Sequence, residues 1–203
     1  PACRNVLVLV GPTASGKTPV ALEISRLVEV EIISADSRQM YKHMDIGTAK
    51  PSREELERVP HYFVDDRLPD ASLNASEFGT RGREIIDDIL RRGKLPLLVG
   101  GSGLYLQGLV DGFFEGLEPD EELRARLYAR LAAEGGQALL EELRVVDPAA
   151  AATMLPSNKK RIVRALEVHR LTGRPISELQ KTRITVSFTP IFIGLRWDRA
   201  ALY

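Results

Sequence analysis

The sequence predicts an α/β fold in which a parallel sheet is flanked by helices and interrupted by an all-helical insertion. Three observations predict it. Short apolar runs that read as strands buried on both faces alternate with stretches of helical period. Glycine-bounded loops follow two of those runs directly, at Gly11 and at Gly100. From Asp120 to Leu179 only helical patterns occur, and strand character returns at Phe188.

The first run is Val6-Leu7-Val8-Leu9-Val10, followed by a loop from Gly11 to Lys17. Apolar residues at Val20, Ala21, Leu22, Ile24, Leu27 and Val28 then predict a helix over 18–28, with Pro19 in its first turn, where proline is tolerated. Glu31 to Ser34 reads as a second strand, and 36–60 as a long loop with short helical pieces. Loops of that length inside a compact domain are usually functional or disordered. Tyr62-Phe63-Val64 reads as a short strand. Asn74, with Glu77 three residues on, reads as a capping-box start for a helix carrying Phe78, Ile85, Ile86, Ile89 and Leu90 and ending near Gly93. Leu95 to Val99 is a further buried strand, and Leu104 to Val110 a helix. Helices follow at Glu121–Ala133, Gln137–Val146, Asn158–Leu171 and after Pro175, then a strand over Phe188–Leu195 and a helix starting at Trp197. The expected organisation is a core over 1–116, a helical insertion over 117–186 and a return to the core over 187–203.

Composition bounds the class. The 203 residues are 44% hydrophobic and 28% charged, ordinary for a soluble globular chain with one good-sized core or a core and an appendage. Basic and acidic residues balance at 28 each, so any nucleic-acid surface must be local. A lone cysteine, Cys3, excludes an internal disulfide and a cysteine-rich metal site, in keeping with a reducing cytosol. No run is long enough for a secretory signal or a membrane span.

Gly11-Pro12-Thr13-Ala14-Ser15-Gly16-Lys17-Thr18 matches G-x-x-x-x-G-K-[ST] at every fixed position, between a predicted strand and a predicted helix, as the motif requires. This is a P-loop, so the sheet is expected to be P-loop NTPase-like. Its glycines let the backbone wrap a phosphate, and its N–H groups and the helix N-terminus face the anion. Lys17 adds a point charge, and the Thr18 hydroxyl is placed to ligate Mg²⁺. The motif does not specify which phosphate compound binds.

Asp36 follows the second strand. In a parallel sheet the carboxyl ends of neighbouring strands face one crevice. Asp36 is therefore either a general base for the group that receives what leaves the phosphate, or a carboxylate capping its own loop. The Leu95–Val99 strand ends in Gly-Gly-Ser, without the acidic residue that a nucleotide hydrolase places there to hold Mg²⁺, which argues against a motor or GTPase. Gly100-Gly101-Ser102-Gly103 either admits a phosphate or a planar base, with the Ser102 hydroxyl as donor, or is simply a tight turn. Over 159–183 eight basic residues (Lys159, Lys160, Arg161, Arg164, Arg170, Arg174, Lys181 and Arg183) face two acids, Glu167 and Glu178. Such a cluster is either a solvated helix face, with Ile162 and Leu166 turned inward, or the footprint of a phosphate-backbone binder.

Six ordered segments resemble the tRNA dimethylallyltransferase family: Gly11–Thr18, Ser34–Tyr41, Met44–Pro51, Pro60-His61, Leu97–Tyr105 and Arg161–Val168. The unbroken Asp45-Ile-Gly-Thr-Ala-Lys-Pro51 is the most specific, because nothing in general P-loop chemistry requires it. The resemblance implies that Gly11 to Thr18 hold the diphosphate of dimethylallyl diphosphate rather than ATP. Thr18, Lys17 and Mg²⁺ would neutralise the leaving group. Asp36 would take a proton from adenine N6, and Ser102, where the family more often has Thr, would keep its hydroxyl near the diphosphate. Asp36, Ser37, Arg38 and Gln39 would lie against the target nucleotide, and Arg124, Lys160, Arg161, Ile162, Val163 and Arg164 would touch tRNA. A cytoplasmic monomer with no membrane partner is expected. After Pro60-His61 the family has a second His and Leu-Ile-Asp, where this chain has Tyr62-Phe63-Val64-Asp65-Asp66. The family's C-terminal region, with further cationic diphosphate contacts, has no counterpart in these 203 residues. An adenylate isopentenyltransferase, a small-molecule P-loop kinase and a binding-only RNA module are the competing readings.

Overall fold

The computed structural model describes residues 4–113, 117, 120–181, 184–198 and 200. Cys3 and Arg183 lie outside them. The chain divides into two compact units, Pro1–Gly112 with Ile184–Tyr203, and Phe113–Arg183. The insertion was expected over 117–186. Ile184 instead belongs to the sheet unit: its amide donates to the Asp111 carbonyl at 3.0 Å, and its side chain fills the space beside Gly112.

In the sheet unit the described residues form β1 (Asn5–Val10), β2 (Val30–Ala35), β3 (His61–Tyr62), β4 (Leu95–Gly100) and β5 (Thr189–Gly194). All pairings are parallel, in the order β3-β2-β4-β1-β5. Around them lie α1 (Lys17–Leu27), α2 (Arg53–Arg58), α3 (Ala75–Arg91) and α4 (Gly103–Val110). Strand alternation splits the apolar residues between the two faces. Val6, Val8, Ile33, Ala35 and Leu98 join Phe78, Ile86 and Ile89 of α3 and Tyr105 and Leu109 of α4 in one core. Leu9, Ile32, Leu97 and Val99 face the other way, onto Ala21 and Leu22 of α1 and onto Val59.

Cap chemistry accounts for the helix starts. Ser52 and Glu55 form a reciprocal capping box on α2. On α3 the Asn74 side chain accepts from the Glu77 amide at 2.9 Å, a one-sided cap rather than the expected box. The strand expected over 62–64 stops at Tyr62, because Phe63 turns into the left-handed region (φ 59°) and buries its ring against Phe78. At its start β2 buries Glu31, which accepts hydrogen bonds from Arg92, Lys94 and the Tyr62 hydroxyl.

In the unit Phe113–Arg183 the described elements are all helical: α5 (Glu121–Val146), α6 (Pro148–Ala151), α7 (Lys159–Thr172) and α8 (Ile176–Leu179). The two helices expected over 121–133 and 137–146 are both present within α5, separated at Gly135, whose backbone is non-helical (φ 82°, ψ 167°). Leu123, Leu127, Leu131, Leu139, Leu140 and Leu143 of α5 pack on Ile162, Val163, Ala165, Leu166 and Val168 of α7. The helix expected from Trp197 falls largely on residues outside those described.

Candidate active site

The register of the sheet builds the site. Val10 of β1 pairs with Gly100 of β4, and Gly100 with Ala35 of β2, so three parallel strands end in one row. From that row leave the P-loop, the Asp36 turn and the Gly101-Ser102 turn. A cavity of about 790 Å³ opens there. It is lined by Gly11 to Pro19, Asp36 to Gln39, Gly47 to Ala49, Gly101 and Ser102. Gly11 to Thr18, Asp36 to Gln39 and Ser102, the sheet-unit site residues expected from the sequence, therefore all line one cavity.

The P-loop is strung tightly. Gly16, the residue before α1, is left-handed (φ 82°) and offers no side-chain cap, so the first amides of α1 face the cavity without an internal acceptor. Such a terminus attracts an anion. A side chain at Gly11 would lie 2.7 Å from the buried Ser15 hydroxyl. The Lys17 ammonium donates to the carbonyls of Gly11 (2.9 Å) and Pro12 (2.6 Å). Burial pushes the Lys17 pKa down, and the charge of Asp36 opposes that shift.

Asp36 caps its own turn and also lines the cavity. Its Oδ1 accepts from the Arg38 amide at 2.8 Å and from the Gln39 amide at 3.4 Å, closing its own turn. Oδ2 accepts no hydrogen bond among the described residues, and the carboxylate lines the cavity. Gln39 is fully occupied within the protein: its Oε1 accepts from Ser34 Oγ at 2.9 Å, and its Nε2 donates to the carbonyls of Thr48 (3.3 Å) and Ala49 (2.9 Å). The Ser102 amide donates to the Ala35 carbonyl at 3.2 Å, while its side chain makes no capping bond to α4. Gly100 makes this closeness possible, since a Cβ there would lie 2.2 Å from the Ala35 oxygen.

A recess of about 40 Å³ runs inward from the same place, between Lys17, Thr18, Ala21, Ile32, Ser34, Asp36, Gln39, Pro51, His61, Val99 and Gly100. Burial lowers the pKa of His61, against the hydrogen bond that its Nδ1 donates to the Val59 carbonyl at 2.7 Å. The imidazole is therefore a neutral wall at neutral pH.

Sequence reasoning gave no role to Gly47–Ala49 or to Trp197. The Trp197 indole N–H donates to the Ser15 carbonyl at 3.0 Å and holds the P-loop from outside. Its partner lies 182 residues away, so no local signal could have found it.

In the helical unit Lys160 and Arg161 are exposed and Arg164 is half-buried. Ile162 and Val163 are 0% and 2% exposed in the leucine core, so their expected contact with tRNA is not available to their side chains. Sequence reasoning also missed Glu167. It is fully buried, and its Oε2 accepts from Arg124 Nη2 (3.1 Å) and Arg164 Nη1 (2.8 Å). Among the described residues its Oε1 has no partner.

As to metal, no group of three or more His, Cys, Asp or Glu side chains among the described residues could hold an ion unaided. The donor set is one hydroxyl, Thr18, beside an anion-binding loop. That suits Mg²⁺, which keeps its waters and binds chiefly through substrate phosphates.

A parallel sheet with a P-loop sequence at the carboxyl edge of β1 and a carboxylate at the end of β2, two strands away, defines a P-loop NTPase-like fold. The family model described as IPP transferase matches residues 39–203, and the chain belongs to that family. A tRNA dimethylallyltransferase of Thermoanaerobacter sp. (strain X514) is 44% identical over 98% of this chain and 65% of its own length. One from Chloroflexus aurantiacus is 46% identical over 98% of this chain and 68% of its own. Among solved structures, the full-length tRNA isopentenylpyrophosphate transferase of Bacillus halodurans superposes with a TM-score of 0.62 at 38% identity, covering 98% of this chain and 62% of that one. A eukaryotic dimethylallyltransferase acting on tRNA gives 0.79 at 28% identity, covering 94% and 48%. The chain thus spans about two thirds of the length of the curated relatives it matches.

Proposed function

We propose that the protein of which these residues form part transfers a dimethylallyl group from dimethylallyl diphosphate to N6 of adenine 37, beside the tRNA anticodon, and releases diphosphate. One observation carries the reading: the row Val10–Gly100–Ala35 sets the P-loop and a carboxylate on one cavity, with a recess of mixed polar and apolar lining beside both. The names of the relatives supply the substrate class.

The residues divide the work by chemistry. The amides of Gly11 to Thr18 and the Lys17 ammonium hold the diphosphate and take up the charge that grows on it as the C–O bond breaks. Ala21, Ile32, Pro51 and Val99 offer the five-carbon group a carbon-lined wall next to Lys17 and Thr18. Asp36 stands across the cavity, where Oδ2 receives the N6 proton as the N–C bond forms. Ser102 offers its hydroxyl to the same space. The Thr18 hydroxyl would help to hold Mg²⁺, which when bound would add to the neutralisation of the leaving group. In the helical unit Lys159, Lys160 and Arg161 stand at the N-terminus of α7, where the helix dipole disfavours cations. Their placement suits an RNA phosphate better than it suits the helix. The same reading carries a cytoplasmic setting and a monomer.

The test is label transfer from dimethylallyl diphosphate to an unmodified anticodon stem-loop by the full-length protein. Asp36→Asn keeps an oxygen to cap the turn and loses the base. Transfer should fall about 10²–10⁴-fold, the usual contribution of a general base, with diphosphate affinity kept. Label in free AMP would move the acceptor to a nucleotide. Phosphorylation of a small molecule from ATP, without prenyl transfer, would replace the reading with a kinase.

A further inference from the structure

Within the segment 43–50, Gly47, Thr48 and Ala49 form one wall of the cavity, and the prenyl-transfer reading gives the segment no task. Its backbone is expensive. His43, Gly47 and Ala49 all lie in the left-handed region (φ 66°, 78° and 49°), and two of these are not glycine. Residues held this way persist only where their surroundings over-determine them. Here the surroundings do so twice. Gln39 grips the carbonyls of Thr48 and Ala49 from the Asp36 turn. Lys50, whose side chain is only 5% exposed, donates to the Tyr41 carbonyl (2.9 Å), Asp45 Oδ1 (2.6 Å) and Asp65 Oδ1 (2.7 Å). An ammonium has three donors, and all three are used. Burial alone would lower the pKa of Lys50, but the two carboxylates more than offset that and raise it, so the clamp stays charged.

The clamp holds out Ile46, which is 99% exposed, immediately before the Gly47–Ala49 wall. Singly exposed apolar residues are common and mean little. This one differs because a buried cation and left-handed backbone hold the residues on either side of it, and because it directly precedes Gly47, which lines the cavity that Asp36 also lines. An adenine reaches such a cavity only by leaving its stack, and proteins that unstack bases set aliphatic side chains against the exposed base faces.

We propose that Ile46 is the apolar contact for the nucleobases flanking the acceptor adenine, and that Lys50 is the positioning residue that holds it there. The inference rests on the prenyl-transfer reading.

The experiment uses the full-length protein, an anticodon stem-loop and dimethylallyl diphosphate, with KM for each substrate, kcat and the thermal midpoint measured for every variant. Ile46→Asp should raise KM for RNA about tenfold, equivalent to ~1.4 kcal/mol, and Ile46→Leu should restore it. Neither should move KM for the diphosphate or the thermal midpoint, since the side chain packs against nothing. Lys50→Met should raise the RNA KM as well. In the double variant the two effects should not add, because Ile46 is no longer held. A merely structural lysine would show additive effects and a lowered midpoint alone. An RNA KM within about twofold of wild type for Ile46→Asp, in a protein whose wild type transfers the prenyl group, would overturn the inference and leave that reading standing. Absence of transfer by the wild type would overturn both.

Discussion

Gly100 and Gly101 are neighbours in one turn, and the structure separates them sharply. A Cβ on Gly100 would stand 2.2 Å from the Ala35 oxygen, 2.5 Å from its carbon and 2.8 Å from its Cα. All three are backbone atoms of the adjacent strand and cannot swing away. Relief to ordinary contact needs a shift of about 1 Å, and overpacking of this kind costs roughly 1–3 kcal/mol. The atoms that must move carry Asp36 as the next residue, and they accept the Ser102 amide. A displacement of about 1 Å at a catalytic group costs on the order of 10²-fold in rate. A Cβ on Gly101 would meet only the Gly11 carbonyl, at 3.5 Å, an ordinary contact. Gly100→Ala should therefore lose roughly 1–3 kcal/mol in urea unfolding and on the order of 10²-fold in prenyl transfer at saturating substrate. Gly101→Ala should stay close to wild type in stability. Equal behaviour of the two variants in both assays would refute the account of why β4 ends in glycine.

Two further outcomes follow from buried carboxylates. Arg92 above all, helped by Tyr62 and Lys94 and opposed by burial, lowers the Glu31 pKa from 4.5 to about 2. The stability it adds is thus complete above about pH 4.5 and lost as pH falls toward 2, up to about 3 kcal/mol. In urea unfolding the gap between wild type and Glu31→Gln should close over that window, and a gap constant from pH 7 to 2.5 would disprove it. Glu167→Gln removes the charge shared by Arg124 and Arg164, which are themselves partly solvated. It should cost about 1–3 kcal/mol, read as a lower denaturation midpoint for the helical unit by circular dichroism, and an unchanged midpoint would mean that Oε2 contributes nothing net.

Contiguous chemistry was legible in the sequence. The P-loop needs its glycines, lysine and threonine at fixed spacing, so Gly11 to Thr18 announced the flanking strand and helix. Asp36 was placed because it follows a strand, although its capping role and its cavity role turned out to be shared between two oxygens. What local pattern could not supply was pairing. That β4 lies between β1 and β2, bringing Gly100 against Ala35, is set by burial on both sheet faces rather than by any adjacent residues. The Lys50 clamp draws on three separate segments, and Glu167 meets Arg124 from 43 residues away. Ile162 and Val163 show the opposite error: a matched segment was read whole, while helical period had already turned Ile162 toward the core.

The edge strand β5 has a consequence for the protein in bulk solution. It pairs with β1 alone among the described residues, and Ile191, Phe192 and Ile193 are 40%, 56% and 37% exposed. An uncharged run of β-branched and aromatic residues on an open edge is a template for a second chain and the start of aggregation. Pro190 interrupts it. The Thr189 amide donates inward, to the Arg4 carbonyl at 2.8 Å, so the alternation of the strand turns the nitrogen of Pro190 outward, where it has no hydrogen to give. Among the described residues, that one missing proton interrupts the row of donors along the outer side of β5, where a further strand would otherwise pair.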